Sequence, residues 1–273
     1  MGILSAYAVP HPPLIVPAVG RGEERAVQRT IDSYHEIARR IARHKPDTIV
    51  VSTPHAPLFR DCFFVASGES SYGDMSRFRV RDRGIRVAHD IELVSMLVRT
   101  ARERHVPLVS DEWRSRELDH ATFVPLYFVN QYYTDYRLVR VGLSALPPRD
   151  HHGVGRCISY AVERLGRRCV FLASGDLSHK LSVDGPYGFA EEGPQFDSQI
   201  TRIFADGNLD CLFDFDERFC EEAAECGLRS FQIMAGALEG QRFSSELLSY
   251  EGPFGVGYGV AAFEVEGSGY GDA

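Results

Sequence analysis

Two short apolar runs separated by one amphipathic helix pattern constrain the fold of this chain more than any other feature. Residues 4–9 and 48–53 have the composition of buried strands, and residues 24–43 repeat apolar side chains at three- and four-residue spacing. A strand, a helix and a second strand in this order form a right-handed crossover with parallel strands. Both strands therefore end at the same edge of one sheet.

A histidine flanked by prolines follows each of these strands. His11 lies in the sequence PHPP, and His55 lies in the sequence PHAP. Ligands of open α/β sheets bind at the edge where the parallel strands end. Two imidazoles delivered to that edge therefore indicate the beginning of a metal site.

Strands and helices continue to alternate along the rest of the chain. This alternation predicts a single α/β domain over residues 1–273, with a mostly parallel or mixed central sheet covered by helices on both faces. A glycine-rich turn at 252–255 predicts a C-terminal hairpin, and we expect the tail 266–273 to be frayed. Further helices are predicted at 90–104 and 152–166, and further strands at 62–65, 138–143, 169–173, 247–250 and 259–263.

Composition excludes several classes of protein. The net charge of −8 argues against binding to nucleic acid or to an anionic membrane, because both require a positive surface. The six cysteines lack CxxC spacing, which disfavours a zinc ribbon, an iron–sulfur cluster and a disulfide scaffold. No apolar stretch approaches the ~20 residues of a membrane-spanning helix, and no signal peptide precedes the first strand. We therefore expect a reduced, cytoplasmic protein.

Three further polar residues are expected near the same edge of the sheet. His179 follows the predicted strand 169–173, His120 opens an apolar helical segment, and Glu225 lies at a glycine-containing break between helical stretches. A helix N-terminus presents free N–H donors, which suits His120 for a substrate-binding position. Glu225 has a second interpretation as part of a solvated acidic face. Asp176 is a competing carboxylate, which we interpret as a turn residue.

Two histidines and one carboxylate on one face of a metal ion leave up to three coordination positions open. Such a site suits non-haem Fe(II), which has to bind a substrate and O₂ together. Additional histidines beside the metal transfer protons, because imidazole titrates near neutral pH. The residues alone leave the choice between a metal-dependent oxygenase and a metal-dependent hydrolase open.

Five short motifs occur in order along nearly the whole chain. They are PHPP at 10–13, PHAP at 54–57, LDHATFVP at 118–125, SGDLSH at 174–179 and ECGLR at 225–229. With these motifs the chain resembles the class III extradiol ring-cleavage dioxygenases, the family of the catalytic subunit of protocatechuate extradiol dioxygenase. Within that family it is most similar to the branch related to the Memo proteins and found with AmmeMemoRadiSam systems.

The resemblance implies a function and a role for each candidate residue. It implies that His11, His55 and Glu225 bind Fe(II), that His179 is the acid/base histidine, and that His120 is a second active-site histidine. The implied substrates are a catecholic or related aromatic diol, which chelates the iron, and O₂, which is inserted to open the ring. The resemblance gives no substrate identity, and no residue cluster selects one.

The sequence also leaves two other functions open. Cys226 follows Glu225 directly, and a soft thiolate favours Cu(I), which supports a Memo-like protein that binds a metal or a partner without cleaving rings. A zinc-dependent hydrolase at the same edge is the other alternative. Its turnover would be independent of O₂, because Zn has no redox chemistry to offer O₂. The sequence also leaves open whether the protein forms a homodimer and whether a partner subunit closes the pocket.

Overall fold

An eight-stranded mixed sheet divides the protein into two helical layers. The computed structural model describes residues 1–80 and 84–267. The strands in this part of the chain are β1 (Gly2–Val9), β2 (Thr48–Thr53), β3 (Phe63–Ala66), β4 (Ser70–Gly73), β5 (Ile85–Ala88), β6 (Leu108–Asp111), β7 (Arg137–Gly142), β8 (Arg168–Ser174), β9 (Phe243–Glu251) and β10 (Tyr258–Val265).

The helices lie between these strands, and three of them correspond to the helices predicted from apolar spacing at 24–43, 90–104 and 152–166. They are α1 (Pro17–Gly20), α2 (Gln28–His44), α3 (Ile91–Glu103), α4 (His120–Val129), α5 (Pro148–Arg164), α6 (Glu192–Asp206), α7 (Glu217–Ala223) and α8 (Leu228–Leu238). Short 3₁₀ turns are present at Pro13–Ile15, Glu23–Val27, Ser76–Phe78, Trp113–Ser115 and Leu209–Phe213.

The strand order explains where polar residues meet. The large sheet has the order β6-β3-β7-β2-β8-β1-β10-β9, and its four central strands, β7, β2, β8 and β1, are parallel. The parallel arrangement predicted for β1 and β2 is confirmed, with β8 inserted between them. The outer pairs β3–β7, β1–β10 and β10–β9 are antiparallel, so the sheet is mixed.

Two apolar cores lie on opposite faces of this sheet. Successive residues of the central strands point to opposite faces, so Phe171 joins the core under α3, α5 and α8, whereas Val170 and Leu172 join the core under α2 and α4. Both faces of the central strands are buried, which explains why their sequences read as continuous apolar runs. The predicted α/β domain with helices on both faces is confirmed.

Local chemistry explains where individual helices begin. Asp90 caps α3, because its side chain accepts a hydrogen bond of 3.0 Å from the Leu93 amide. The helix predicted at 152–166 instead runs from Pro148 to Arg164, since proline has a backbone angle suited to the first helical position. The helix predicted at 24–43 begins at Gln28, after a 3₁₀ turn.

The C-terminal hairpin is present as β9 and β10 and extends the sheet beyond β1. The sequence did not indicate three short strands, β4, β5 and β6, which belong to the excursion between β2 and α4. Residues 268–273 of the tail expected to be frayed lie outside the described residues. In the described part of the chain, no helix is both long and apolar enough to cross a membrane.

Candidate metal centre

Three neighbouring strands deliver polar residues to one point at the edge of the sheet. His11 follows β1, His55 follows β2, and Asp176 follows β8, which lies between the other two. The register pairs Val9 with Ser174, so β1 and β8 end at the same level. The edge predicted from the strand–helix–strand pattern therefore carries the candidate site.

The imidazoles of His11 and His55 meet at this point. Their Nε2 atoms lie 3.2 Å apart, and their ring planes are nearly perpendicular. Ser174 Oγ donates to the Ala121 carbonyl oxygen at 2.6 Å, so its lone pair accepts from His11 Nδ1, 3.0 Å away. This bond places the ring proton of His11 on Nδ1 and leaves Nε2 free as a metal ligand.

The spacing of the two nitrogens fits a shared metal ion. Imidazole nitrogens bind zinc at about 2.1 Å, and two such ligands at tetrahedral or octahedral angles lie roughly 3.0–3.4 Å apart. The observed 3.2 Å between His11 Nε2 and His55 Nε2 falls in this range. The donor set also suits iron and copper, because imidazole is a ligand for all three metals.

His120 supplies a third imidazole. The ligand atoms of His11, His55 and His120 all lie within 4.8 Å of one another. His120 is the first residue of α4, whose cap Asp119 accepts from the Thr122 amide at 2.9 Å. Burial, together with the charges of His55 and His11, lowers the pKa of His120 to about 4, so this ring is neutral at pH 7.

Asp176 connects His11 with His179. Its Oδ1 accepts from the His11 backbone amide at 2.7 Å, and its Oδ2 lies 3.8 Å from His179 Nε2. Burial acts to raise the pKa of Asp176, but the neighbouring His11 and His179 outweigh it and hold the pKa below its ordinary value. Burial acts to lower the pKa of His179, and Asp176 reverses the direction and raises it. Asp176 therefore joins the backbone of His11 to the imidazole of His179.

Glu225 and Cys226 lie in the break between α7 and α8, and they differ in where they point. Glu225 Oε2 accepts from the Leu228 amide at 2.7 Å, at the beginning of α8. Cys226 Sγ lies 3.8 Å from His11 Nε2 and accepts from the Asp176 amide at 3.3 Å. Among the described residues, His11, Asp176 and Cys226 form a second group of candidate ligands, and neither group includes Glu225. Burial raises the pKa of both Glu225 and Cys226.

A cavity of about 530 Å³ opens beside the histidines. His55 and His120 line it, and the Phe78 ring packs edge-on against His120 with ring centres 5.5 Å apart. This volume is in the range of small-molecule sites. His179 is not among the residues that line this cavity in the described part of the chain.

A buried ion pair supports the wall of this cavity. Arg140 of β7 is 1% exposed and donates to Asp119 Oδ2 at 3.0 Å. Asp119 Oδ1 in turn accepts from Thr53 Oγ1 at 2.7 Å, and the same hydroxyl accepts from the His55 amide at 3.2 Å. The pair therefore holds the segment that carries His55 as well as the start of α4.

The sequence left the supporting roles of three of these residues unassigned. Asp176 was named as a competing carboxylate but interpreted as a turn residue, although its position three residues before His179 in a strand exit is the signal that places it at the edge. Ser174 carries no separate signal, because a serine at a strand end is common. Arg140 is detectable as the one charged residue inside the apolar run 138–143.

Removal of the Ser174 hydroxyl tests the orientation of His11. We expect Ser174→Ala to weaken metal binding about 10- to 100-fold, because His11 loses the acceptor that fixes its ring. Anaerobic titration with Fe(II) and with Zn(II) measures the change. Ser52→Ala, which removes a buried hydroxyl from the neighbouring strand β2, is the matched control and should bind metal like the wild type. Equal affinities of the wild type and Ser174→Ala would show that the bond does not position the ligand.

Comparison with known proteins identifies the family. The family model described as the catalytic LigB subunit of aromatic ring-opening dioxygenase matches residues 5–261. This match covers both core layers and all five motifs. The chain belongs to this family, whose chemistry is metal-dependent ring cleavage with O₂.

Individual relatives agree with this membership. Protein CA_C1420 of Clostridium acetobutylicum is 40% identical over 271 residues, which are 97% of this chain but only 58% of that protein. The 2-aminophenol 1,6-dioxygenase beta subunit of a Pseudomonas species is 23% identical over 96% of this chain and 94% of its own length. The 3,4-dihydroxyphenylacetate 2,3-dioxygenase of Escherichia coli is 25% identical over 67% of this chain and 70% of its own length.

A solved structure confirms the fold. The crystal structure of the uncharacterized protein JW3007 from Escherichia coli K12 superposes with a TM-score of 0.64 and 16% identity. The superposition covers 95% of this chain and 99% of that one. At this identity the likeness concerns the fold alone.

Proposed function

We propose that this protein is a non-haem Fe(II)-dependent extradiol-type dioxygenase that opens a catecholic or related aromatic ring with O₂. The observation that carries the proposal is the pair of Nε2 atoms of His11 and His55, 3.2 Å apart beside a cavity of about 530 Å³. Membership in a family of ring-opening dioxygenases supports the reaction class. Two relatives with dioxygenase names support an aromatic substrate.

When bound, the iron supplies Lewis acidity and the electron transfer that O₂ chemistry requires. His11 and His55 would hold it, and the bond from His11 to Ser174 keeps the His11 ring oriented. The edge of Phe78 and the neutral ring of His120 form a wall against which a planar substrate packs. His179, paired with Asp176, is the acid/base histidine that moves the substrate proton, and His120 is the second, neutral active-site histidine.

The identity of the third ligand separates two versions of this site. Glu225 completes the two-histidine, one-carboxylate set that suits Fe(II), provided that its carboxylate leaves the Leu228 amide. Cys226 is the second candidate, and its Sγ already lies 3.8 Å from His11 Nε2. A thiolate ligand favours Cu(I) and supports the Memo-like alternative, in which the protein binds a metal without cleaving rings.

Substitution of each candidate separates these versions. We expect Glu225→Gln to lose Fe(II) binding and turnover, whereas Cys226→Ser retains both, because a carboxylate is the harder ligand and suits ferrous iron. Metal per chain after anaerobic loading with Fe(II), Cu(I) and Zn(II) measures the difference. The reverse pattern, with copper binding lost only in Cys226→Ser, would support the Memo-like function. Zinc retained by both variants would point to the three-imidazole cluster and a hydrolase.

Anaerobic loading with Fe(II), followed by a panel of catechols and aminophenols and then O₂, tests the reaction itself. A new visible absorption from a ring-opened product supports the proposal and begins to define the substrate. Iron-loaded protein that leaves every diol unchanged would contradict it. One relative carries the name of a beta subunit, so the size of the loaded protein in solution should also be measured to detect a homodimer.

A further inference from the structure

A buried carboxylate lies behind the loop that carries His179, and the proposed reaction does not use it. Asp197 of α6 is 1% exposed. Its Oδ1 accepts from the Ser178 amide at 2.8 Å, and its Oδ2 accepts from the Tyr250 hydroxyl at 2.7 Å. One side chain therefore joins α6, the loop after β8, and the hairpin strand β9.

The backbone immediately before His179 is held from several directions. The Ser178 carbonyl oxygen accepts from the Gly257 amide at 2.8 Å, and the Leu177 amide donates to the Gly257 carbonyl oxygen at 2.8 Å. The Ser178 hydroxyl donates to the Ala223 carbonyl oxygen at 2.8 Å. The Ser178 amide is the remaining donor of this residue, and Asp197 is its acceptor. Because Ser178 is fully buried, that amide has no access to bulk water.

The absence of a side chain at Gly257 leaves space for the Asp197 carboxylate. A Cβ atom on Gly257 would lie 2.0 Å from Asp197 Oδ2, so only glycine fits there without displacing the carboxylate. The Asp197 carboxylate therefore packs against Gly257 while it accepts the hydrogen bond from the Ser178 amide. Burial also raises the pKa of Asp197 to about 6, so an ionised group at this position works against stability at neutral pH.

We infer that Asp197 is a positioning residue for His179, acting through the Ser178 amide. With that amide fixed, the next residue directs its imidazole towards Asp176, whose Oδ2 lies 3.8 Å from His179 Nε2. The kinetic consequence rests on the proposed function, whereas the effect on the ring of His179 does not. Misplacement of a proton-transferring group by about 1 Å costs up to ~100-fold in rate, so the effect is measurable.

Two substitutions at position 197 distinguish the effect of the hydrogen-bond acceptor from the effect of the negative charge. We expect Asp197→Ala to lower kcat about 10- to 100-fold with KM and iron content unchanged. Asp197→Asn keeps an acceptor oxygen for the Ser178 amide and should retain kcat close to the wild type. NMR signals of the His179 ring, assigned by their loss in His179→Gln, should move in Asp197→Ala and stay in place in Asp197→Asn.

A matched control distinguishes positioning from general loss of stability. Asp90 is also a buried carboxylate that accepts from a backbone amide, but it lies beside Thr48, at the beginning of β2 and thus at the opposite edge of the sheet. Asp90→Ala should lower the unfolding free energy while the His179 signals and kcat stay unchanged. If Asp197→Ala does not fold, Gly257→Ala gives the same test, because its methyl group displaces Oδ2.

The two proposals fail in different ways. A wild-type protein without ring cleavage would contradict the proposed function, and the NMR comparison would then decide the role of Asp197 alone. Folded Asp197→Ala with unmoved His179 signals would overturn the inference. Equal movement of those signals in Asp90→Ala would overturn it as well.

Discussion

Replacement of His11 by alanine is expected to abolish metal binding and ring cleavage while the protein stays folded. His11 is the residue common to both groups of candidate ligands, and its Nε2 lies 3.2 Å from His55 Nε2 and 3.8 Å from Cys226 Sγ. Loss of a residue that only supports a ligand costs about 10- to 100-fold in metal affinity, so loss of the ligand itself should exceed that range. Anaerobic Fe(II) titration and the rate of diol consumption measure both effects.

Two further variants, His11→Gln and His35→Ala, serve as controls for this experiment. His11→Gln fills more of the buried space, so agreement between the two His11 variants separates ligand loss from a packing defect. His35 lies on α2, where its Nδ1 is 3.1 Å from the Tyr132 hydroxyl, and it belongs to neither group of candidate ligands in the described part of the chain, so its replacement should leave metal affinity unchanged. Stoichiometric iron in His11→Ala would remove His11 from the site.

Replacement of Arg140 by methionine is expected to cause the largest loss of folding stability. Arg140 is 1% exposed and donates to Asp119 Oδ2, to the Glu117 carbonyl oxygen and to the Ser115 carbonyl oxygen. Methionine has a similar length but leaves Asp119 buried without its cation. Breaking a buried ion pair in this way costs about 3–5 kcal/mol, which urea unfolding followed by circular dichroism measures as a lower free energy of unfolding.

Two controls test the electrostatic cause. Adding Asp119→Asn to Arg140→Met removes the unpaired charge and should recover part of the lost stability. Arg77→Met breaks the pair with Glu117, in which both side chains are more than four-fifths exposed, and should change stability little. If Arg140→Met and Arg77→Met have equal unfolding free energies, the buried pair does not stabilise the cavity wall.

The central part of the fold follows from patterns that depend on burial. The parallel strands β1, β2 and β8 are buried on both faces, so each appears in the sequence as an apolar run that ends in a polar or proline-rich segment. The helix α3 has both a regular apolar face and the cap Asp90, and its boundaries were predicted closely. The short strands β4, β5 and β6 have mixed exposure and few residues, so no periodic signal marks them.

The candidate site could be predicted only as far as strand ends determine it. His11, His55 and His179 each follow a central strand, and this placement by topology required no side-chain geometry. Glu225 and Cys226 are adjacent in a helix break, where backbone angles decide which side chain points inward. The structure directs Cys226 towards His11 and Glu225 towards the Leu228 amide, so Glu225 as a ligand stays a prediction.

The pairing of distant residues was also beyond the sequence patterns. Asp197 meets the Ser178 amide because α6 packs across the loop after β8, and Gly257 leaves the required space from the hairpin. Three segments far apart along the chain thus create one contact, and none of them carries a local signal for it. Such contacts arise from tertiary packing, which periodicity does not encode.

The proposed reaction is the insertion of O₂ into an aromatic diol at a site where His11 and His55 would hold iron. The measurement that tests it most directly is turnover of the iron-loaded wild type under ¹⁸O₂, with the product trapped by reduction before its oxygen exchanges with water and then weighed by mass spectrometry. We predict a ring-opened product that carries both atoms of one O₂ molecule, and no such product from His11→Ala. A product whose new oxygen comes from water, or turnover that continues without O₂, would contradict it.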